Sequence, residues 1–194
     1  MKTLIVVAHP NPQSFNKNGI LKTVVEELTS KNHQIVVRDL YELNFNPILS
    51  GADFAEFQVG KTPADIKTEQ DHISWATNIV LIYPVWWIGR PAMMQGYFDR
   101  VFGFNFAFTV DQNGARGLLK NEKALVINTA GTPEFVYDGW PDSKQLISRP
   151  IAEGVLGYCG IVDVKQHTFF GIASSTDEER AKILTDLKEK LANF

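Results

Sequence analysis

Short apolar runs alternate along this chain with longer stretches in which apolar residues recur at helical spacing. The runs at residues 4–8 and 79–83 are too short for a helix and are typical of strands buried on both faces. Between them, Ile20, Val24 and Leu28 recur every four residues and predict a helix. The remaining predicted strands cover residues 34–40, 124–128 and 161–170, and the remaining helices cover 64–77, 92–102, 144–158 and a segment after Thr176.

Three local signals predict where these elements begin or end. Ser14 precedes the first helix and has the side chain of an N-cap residue. Pro84 has no N–H group for a β-ladder, so we expect the third strand to end there. Thr176 and Glu179 have the spacing of a capping box at the start of the last helix.

The alternation of strands and helices predicts an α/β fold in which a parallel sheet carries helices on both faces. For five strands we expect the flavodoxin-like, doubly wound order 2-1-3-4-5, with residues 1–194 forming a single domain. In that order the first and third strands are neighbours. The loops at 9–15, 84–89 and 129–132 would therefore meet at one crevice at the carboxyl edge of the sheet.

Composition narrows the class of protein. The chain has 19 Lys and Arg against 22 Asp and Glu, a net charge of −3, which does not favour binding to nucleic acid or to an anionic membrane. A single cysteine, Cys159, excludes an intrachain disulfide framework and fits a reducing compartment. The first apolar run is too short for a signal sequence or a membrane span, so we expect a cytoplasmic protein without membrane insertion.

Two adjacent tryptophans follow the third strand. Trp86 and Trp87 would lie just beyond the carboxyl end of a central strand, where open α/β sheets bind their ligands. A flat heteroaromatic ligand is the interpretation that this position favours. The alternative is that both indoles cap the hydrophobic core.

The loop after the first strand has the composition of an anion site. His9 stands at the carboxyl end of the strand, directly before a helix N-terminus, where free N–H groups and the helix dipole favour a phosphate. Ser14 and Asn16 would complete the cradle with side-chain hydrogen bonds. The alternative is an ordinary loop with a cap at Ser14.

Two further segments offer candidate contacts. Small residues after the fourth strand, Thr129, Ala130 and Gly131, let the backbone approach a ligand edge closely. Tyr137 in the same loop offers a hydroxyl donor, or else it is a solvated loop tyrosine.

Two segments of the chain show no sustained periodicity in the spacing of their apolar residues. Residues 103–117 predict a loop or hairpin, with an alternation of phenylalanines at 104, 106 and 108 that suggests a short extra strand. Phe106 and Phe108 belong to core or dimer packing, or to the wall of a hydrophobic substrate pocket. Residues 41–62 predict a long surface segment with a helical turn near 54–57.

Several common sites are excluded by spacing. No dinucleotide fingerprint follows a predicted strand, and the Gly60-Lys61-Thr62 triplet lacks the strand and the first glycine of a phosphate-binding P-loop. The four histidines and Cys159 show no metal-ligand spacing, so we expect no metal. Cys159 has apolar neighbours and no adjacent base, which indicates a structural thiol.

Several specific residue combinations resemble one family over nearly the whole chain. They are Ala8-His9 with Ser14-Phe15-Asn16, Asp39-Leu40-Tyr41 with Asn44-Phe45-Asn46-Pro47-Ile48, Asp65-Ile66 with Glu69-Gln70, Pro84-x-x-Trp87-x-Gly89-x-Pro91-Ala92, and Gly96-Tyr97-Phe98-Asp99-Arg100-Val101-Phe102. The family is that of the NAD(P)H:quinone oxidoreductases, the DT-diaphorase-like branch of the flavodoxin-like flavoproteins.

The resemblance implies a flavoenzyme that uses FAD, with FMN as the alternative, and takes hydride from NAD(P)H. It implies a flavin phosphate and ribityl site at His9, Phe15 and Asn16, an isoalloxazine site at Pro84, Val85, Trp86, Trp87, Ile88, Thr129, Ala130 and Gly131, and an adenylate site at Asp99 and Arg180. It further implies that Tyr137 hydrogen-bonds the reacting species and that active sites lie at the interface of a homodimer.

The chain departs from the family pattern at three places. The histidine expected a few residues after Tyr137 is absent, Phe108 and Val110 replace two tyrosines of the substrate wall, and Trp86 replaces a glutamine. These departures bear on the acceptor more than on the cofactor.

The expected activity is that of an NAD(P)H dehydrogenase (quinone), which passes two electrons by ping-pong hydride transfer through flavin N5 to a quinone-like acceptor. The alternative is a flavin- or nucleotide-sensing regulatory subunit of a partner such as a potassium-efflux channel.

Overall fold

A computed structural model describes residues 1–192 and 194. The central sheet has five parallel strands, β1 (Lys2–Val7), β2 (Gln34–Asp39), β3 (Asn78–Val85), β6 (Lys123–Ala130) and β7 (Asp163–Phe169); β4 and β5 form a separate hairpin described below. Their order in the sheet is β2-β1-β3-β6-β7, which confirms the predicted 2-1-3-4-5 topology. Strand β3 is buried along its whole length, as its continuous apolar sequence predicts.

Helices cover both faces of the sheet. They are α1 (Lys22–Ser30), α2 (Gly51–Gln58), α3 (Ala64–Trp75), α4 (Ala92–Val101), α5 (Glu134–Asp138), α6 (Ser143–Ile151) and α7 (Asp177–Leu191). A π-helical turn, Asn16–Leu21, leads directly into α1, and a second one, Ala152–Gly157, extends α6. Helices α1 and α7 pack on one face of the sheet, while α3, α4 and α6 pack on the other. Among the described residues, no helix is both long enough and apolar enough to cross a membrane.

A short antiparallel hairpin stands apart from the central sheet. Its strands are β4 (Phe108–Asp111) and β5 (Gly114–Gly117), and most of their residues are exposed. The hairpin prediction for residues 103–117 is therefore confirmed. The phenylalanine alternation contributes only one isolated bridge, between Phe104 and Phe108, rather than a strand.

The prediction that Pro84 ends β3 is wrong. Pro84 lies inside the strand and pairs with Thr129 of β6. The carbonyl of Ile82 points toward β1, since it accepts the N–H of Ala8 at 3.0 Å. Residues two apart in a strand direct their backbone groups to the same side, so the position of the missing N–H of Pro84 also faces β1. The pairing of β1 with β3 ends at Val7 and Ile82, so Pro84 lies beyond the last paired residue of β1.

The two predicted caps have opposite outcomes. Thr176 accepts the N–H of Glu179 and Glu179 accepts the N–H of Thr176, so the capping box of α7 is confirmed. Ser14 does not cap its helix, because the helical turn begins after Phe15 with no side-chain cap. The polar end of this helix is therefore left without a partner from its own sequence.

Candidate active site

The carboxyl ends of three adjacent strands meet at one edge of the sheet, and the space between the loops that follow them is called the crevice below. Strand β1 ends beside β3, with Val7 paired to Ile82, and β3 ends beside β6, with Val85 paired to Ala130. The loops that follow these strands carry most of the candidate residues. This is the topological switch point, where open α/β sheets bind their ligands.

His9 is held at the base of this crevice as a neutral hydrogen-bond donor. Its Nδ1 accepts the backbone N–H of Asn11 at 3.1 Å, which assigns the ring proton to Nε2. Burial of the ring lowers the pKa of His9 below its ordinary value of 6.5. Its ring meets the indole of Trp86 edge-on, with the ring centroids 6.2 Å apart. The loops after β1 and β3 therefore touch.

The helix that follows His9 begins with unpartnered polar groups. Ser14 Oγ and Asn16 Nδ2 are buried and have no hydrogen-bond partner within the described part of the chain. No side chain caps the helix at Phe15. A buried donor without a partner is costly, and a ligand phosphate at a helix N-terminus would satisfy such groups. These residues therefore fit a phosphate-bearing ligand.

The loop after β6 joins the same site. The Thr129 hydroxyl donates to Asn16 Oδ1 at 2.5 Å, so the amide nitrogen of Asn16 is turned away from Thr129. Ala130 is fully buried between Val85 and Tyr137. The third predicted loop is thus fastened to the first by a side-chain hydrogen bond.

A buried ion pair lies beside this cradle, and the sequence interpretation missed it. Lys17 Nζ lies 2.5 Å from Asp39 Oδ2, and both side chains are more than nine-tenths buried. The other carboxylate oxygen of Asp39 accepts the N–H groups of Tyr41 and Glu42. The available signal was a lysine in the first turn of a helix together with an acidic residue at the end of a neighbouring strand.

The two tryptophans do not cap the core. Trp87 is fully exposed and Trp86 is 42% exposed. Both lie in a tight turn that follows Val85 at the end of β3. Their indoles therefore provide apolar surface at the mouth of the crevice.

Tyr137 is not a solvated loop residue, because only 7% of its surface is exposed. It lies on α5 and packs against Trp140 and Phe170, with ring centroids 5.9 and 5.1 Å away. It belongs to a small apolar cluster with Val85 and Ala130 at the carboxyl ends of β3 and β6. The structure thus brings Tyr137 to the crevice, and its role there stays a prediction.

The two predicted adenylate residues do not meet within one chain. Arg180 on α7 lies over the ring of Phe15, 5.7 Å from its centroid, and donates to Ser175. Asp99 is exposed on α4, which packs on the opposite face of the sheet, and accepts a hydrogen bond from Gln95. Only Arg180 therefore borders the crevice described above.

The predicted substrate residues Phe106 and Phe108 lie at the other end of the sheet. Phe106 lines a small cavity of about 270 Å³ together with Ala76 and Asn121, which precede β3 and β6. Phe108 packs on Tyr158, with ring centroids 5.2 Å apart. The length of β3, about 23 Å at 3.3 Å per residue, separates this end from the crevice.

The described residues offer little for metal binding or for nucleophilic catalysis by a thiol. The described residues contain no cluster of three or more His, Cys, Asp or Glu that could hold a metal ion. Cys159 is buried, and burial raises its pKa to about 11. The thiol is therefore protonated at neutral pH, as a structural cysteine would be.

The sheet order and the crevice at its switch point define a flavodoxin-like α/β protein. A family model described as having a flavodoxin-like fold matches residues 1–193. A relative from Haemophilus influenzae, named an uncharacterized NAD(P)H oxidoreductase, is 36% identical over 96% of this chain and 92% of its own length.

Two further similarities narrow the family. NAD(P)H dehydrogenase (quinone) 1 from Cavia porcellus is 30% identical over 100% of this chain and 77% of its own length. The structure of an NAD(P)H:quinone oxidoreductase from Methanothermobacter marburgensis matches with a TM-score of 0.85 and 30% identity, covering 97% of this chain and 94% of that one. The chain belongs to the NAD(P)H:quinone oxidoreductase family of flavodoxin-like proteins.

Proposed function

We propose that this protein is a flavin-dependent NAD(P)H:quinone oxidoreductase. The observation that carries the proposal is the convergence of an unpartnered phosphate cradle and an exposed aromatic turn in one crevice, where His9 meets Trp86. Family membership supports the same activity. A bound flavin supplies the redox chemistry, accepting hydride from NAD(P)H and delivering it to the quinone.

His9 is proposed to hold the phosphate end of the flavin. Its Nε2–H is free to donate because Nδ1 already accepts the N–H of Asn11. Ser14 Oγ and Asn16 Nδ2 would supply two more donors, together with the N–H groups of the uncapped helix. A neutral imidazole orients the phosphate by hydrogen bonding rather than by a full charge.

The turn after β3 and the loop after β6 are proposed to enclose the flavin ring. Trp87 and Trp86 offer broad apolar surface on one side. Ala130 and Gly131 are small enough for the backbone to approach the ring edge. Tyr137 stands at the same end of the sheet and would donate its hydroxyl to the reacting species. These residues would orient the ring and cover part of its apolar surface.

We further propose FAD as the resident flavin, with FMN as the alternative. Arg180 supports FAD, because its guanidinium lies over Phe15 beside the phosphate cradle and would offer a positive charge to a second phosphate. Heating the purified protein and separating the released chromophore by chromatography distinguishes the two.

We also propose a homodimer whose active sites include residues of both copies. Phe106 and Phe108 cannot wall the crevice of their own chain, because they lie at the opposite end of the sheet. The exposed hairpin that begins at Phe108 and the fully exposed Trp87 both leave apolar surface uncovered in a single copy. A second copy in antiparallel orientation would bring the hairpin of one copy to the Trp87 turn of the other.

The proposal is tested by reconstituting the purified protein with FAD or FMN and following NAD(P)H oxidation when a quinone is added. We expect a yellow protein with quinone-dependent turnover. His9→Ala should weaken flavin binding about 10- to 100-fold, the range expected for loss of a hydrogen bond to a charged group. His72→Ala on α3 is the matched control and should bind like the wild type. A protein that takes up neither flavin would overturn the proposal.

A further inference from the structure

The turn that carries the exposed tryptophan is strained. Trp87 and Ile88 have φ values of +53° and +61°, in the left-handed region that L-residues rarely adopt. The turn is closed by two hydrogen bonds, from Trp86 N–H to Gly89 O at 3.0 Å and from Gly89 N–H to Trp86 O at 2.8 Å. Two-residue turns of this geometry usually contain Asn-Gly or Asp-Gly, because both central residues need positive φ.

Ile88 is a particularly poor residue for this conformation. Its side chain branches at Cβ, so a positive φ is a genuine outlier for this residue type. Asn in the same position would adopt the left-handed conformation with less strain. Some favourable contact must therefore offset the strain for the turn to persist.

That contact is made by the Ile88 side chain. It packs against the apolar cluster that contains Val85, Ala130 and Tyr137. The neighbouring Trp87 ring is fully exposed and contributes no packing that could stabilise the turn. Ile88 is thus the central residue of the turn that is anchored to the rest of the protein.

We propose that Ile88 is a positioning residue that holds the strained turn against the apolar cluster of Val85, Ala130 and Tyr137 and so sets the place of Trp87 at the crevice. The proposal rests on the flavin site proposed above and adds a residue that acts on it through its neighbours. The backbone strain of the turn and the packing of the Ile88 side chain, called the anchor below, have separate roles in this proposal. The Trp87 ring is exposed to solvent, while the partly buried Ile88 side chain fixes the turn relative to the cluster that contains Tyr137.

Three substitutions separate the anchor from the strain. Ile88→Ala removes the anchor and keeps an unfavourable residue at positive φ. Ile88→Asn removes the anchor and relieves the strain, whereas Ile88→Val keeps the strain and most of the anchor. Asn32→Ala is the matched control, because Asn32 also has positive φ, at +61°, but lies in the exposed turn between α1 and β2.

Three measurements decide the outcome: the thermal midpoint, hydrogen exchange of the Trp86 and Gly89 amides in the flavin-free protein, and affinity for added FMN and FAD. For Ile88→Ala we expect a lower thermal midpoint, amide exchange about tenfold faster and flavin binding about tenfold weaker. Ile88→Asn should recover the midpoint but keep the weak flavin binding. Ile88→Val should resemble the wild type in all three measurements.

The control and the contrary results are equally specific. Asn32→Ala should lower the thermal midpoint without changing flavin binding. If Ile88→Asn regains both stability and flavin affinity, Ile88 has a merely structural role and the inference fails. If the wild-type protein binds no flavin, the proposed function fails instead, and the exchange rates of the two amides still test the anchor.

Discussion

The hydroxyl of Thr129 donates a hydrogen bond to the side-chain oxygen of Asn16, and this one contact joins the end of β6 to the start of the helix after β1. The two residues are 113 positions apart in the chain and both are buried. Asn16 cannot rotate its amide without losing this bond, so its nitrogen stays available for a ligand.

Thr129→Val should therefore damage both stability and ligand binding. The valine keeps the shape of threonine but leaves Asn16 Oδ1 without its donor, at a cost of about 1–3 kcal/mol for a buried unsatisfied group. Differential scanning calorimetry should show a lower midpoint, and flavin titration should show weaker binding. Thr129→Ser retains the hydroxyl and should be close to wild type; equal losses in both variants would argue against the hydrogen bond.

The buried ion pair beside the cradle gives a second prediction. Lys17→Met leaves the Asp39 carboxylate buried without its cation, which costs about 3–5 kcal/mol. For a chain of this length the thermal midpoint should fall by about 10 °C. A double variant, Lys17→Met with Asp39→Leu, removes both charges and should recover part of the loss. Additive losses would show that the two groups do not interact.

Lys17 should also affect ligands according to their charge. In Lys17→Met the uncompensated Asp39 carboxylate would repel a phosphate nearby. FMN binding should therefore weaken more than binding of riboflavin, which has no phosphate. Equal weakening of both ligands in a titration would place the phosphate away from this ion pair.

Stability should fall on the acid side of neutrality. The pKa values of His9, His33 and His167 are all lowered from 6.5, in each case chiefly by burial. The unfolded chain therefore binds protons more readily than the folded one below about pH 6.5, so the fold loses stability as the pH falls through that range. Thermal midpoints measured from pH 7.5 to pH 5 should decrease. The slope should be shallower in His33→Gln, and an unchanged slope in that variant would rule out a contribution from His33.

Gly96 should tolerate no side chain. A Cβ at this position of α4 would lie 2.0 Å from the carbonyl oxygen of Pro47, in the long segment between β2 and α2. Gly96→Ala must push that segment away, at a cost of about 1–3 kcal/mol or more. Gly51→Ala is the control, because no atom lies within 4 Å of the Cβ added there. Chemical denaturation should show a loss for the first variant only.

Shared active sites would be revealed by mixing defective variants. His9→Ala should impair the cradle of its own chain, and Phe108→Ala should impair the crevice of its partner. In a mixed dimer one of the two sites then regains wild-type residues, so random mixing should restore activity to about a quarter of wild type. No recovery after mixing and reassembly would contradict a site shared between copies.

Much of the fold followed from local patterns. The apolar run at residues 79–83 predicted a doubly buried strand, and β3 is buried throughout. Thr176 and Glu179 predicted a cap that the structure contains. These features depend on residues close in sequence, where hydrogen-bonding capacity and hydrophobic periodicity leave few choices.

Other features depended on neighbouring elements that are distant in the sequence, which local patterns cannot predict. Pro84 remains in β3 because β1 has already ended beside it. Ser14 leaves its helix uncapped, and its hydroxyl is buried without a partner in the described chain. Lys17 finds Asp39 on a different strand. In each case the outcome is set by which element lies alongside.

The amino-acid sequence by itself determined the alternation of strands and helices, the strand order and the loops that form the crevice, because periodicity and chain connectivity restrict parallel sheets strongly. Only the tertiary structure decided that the length of β3, about 23 Å, separates Phe106 and Phe108 from the crevice, and that Ile88 is held at positive φ against the cluster that contains Tyr137. Such relationships arise when distant segments pack together, and the free energy of that packing overrides what each residue prefers locally.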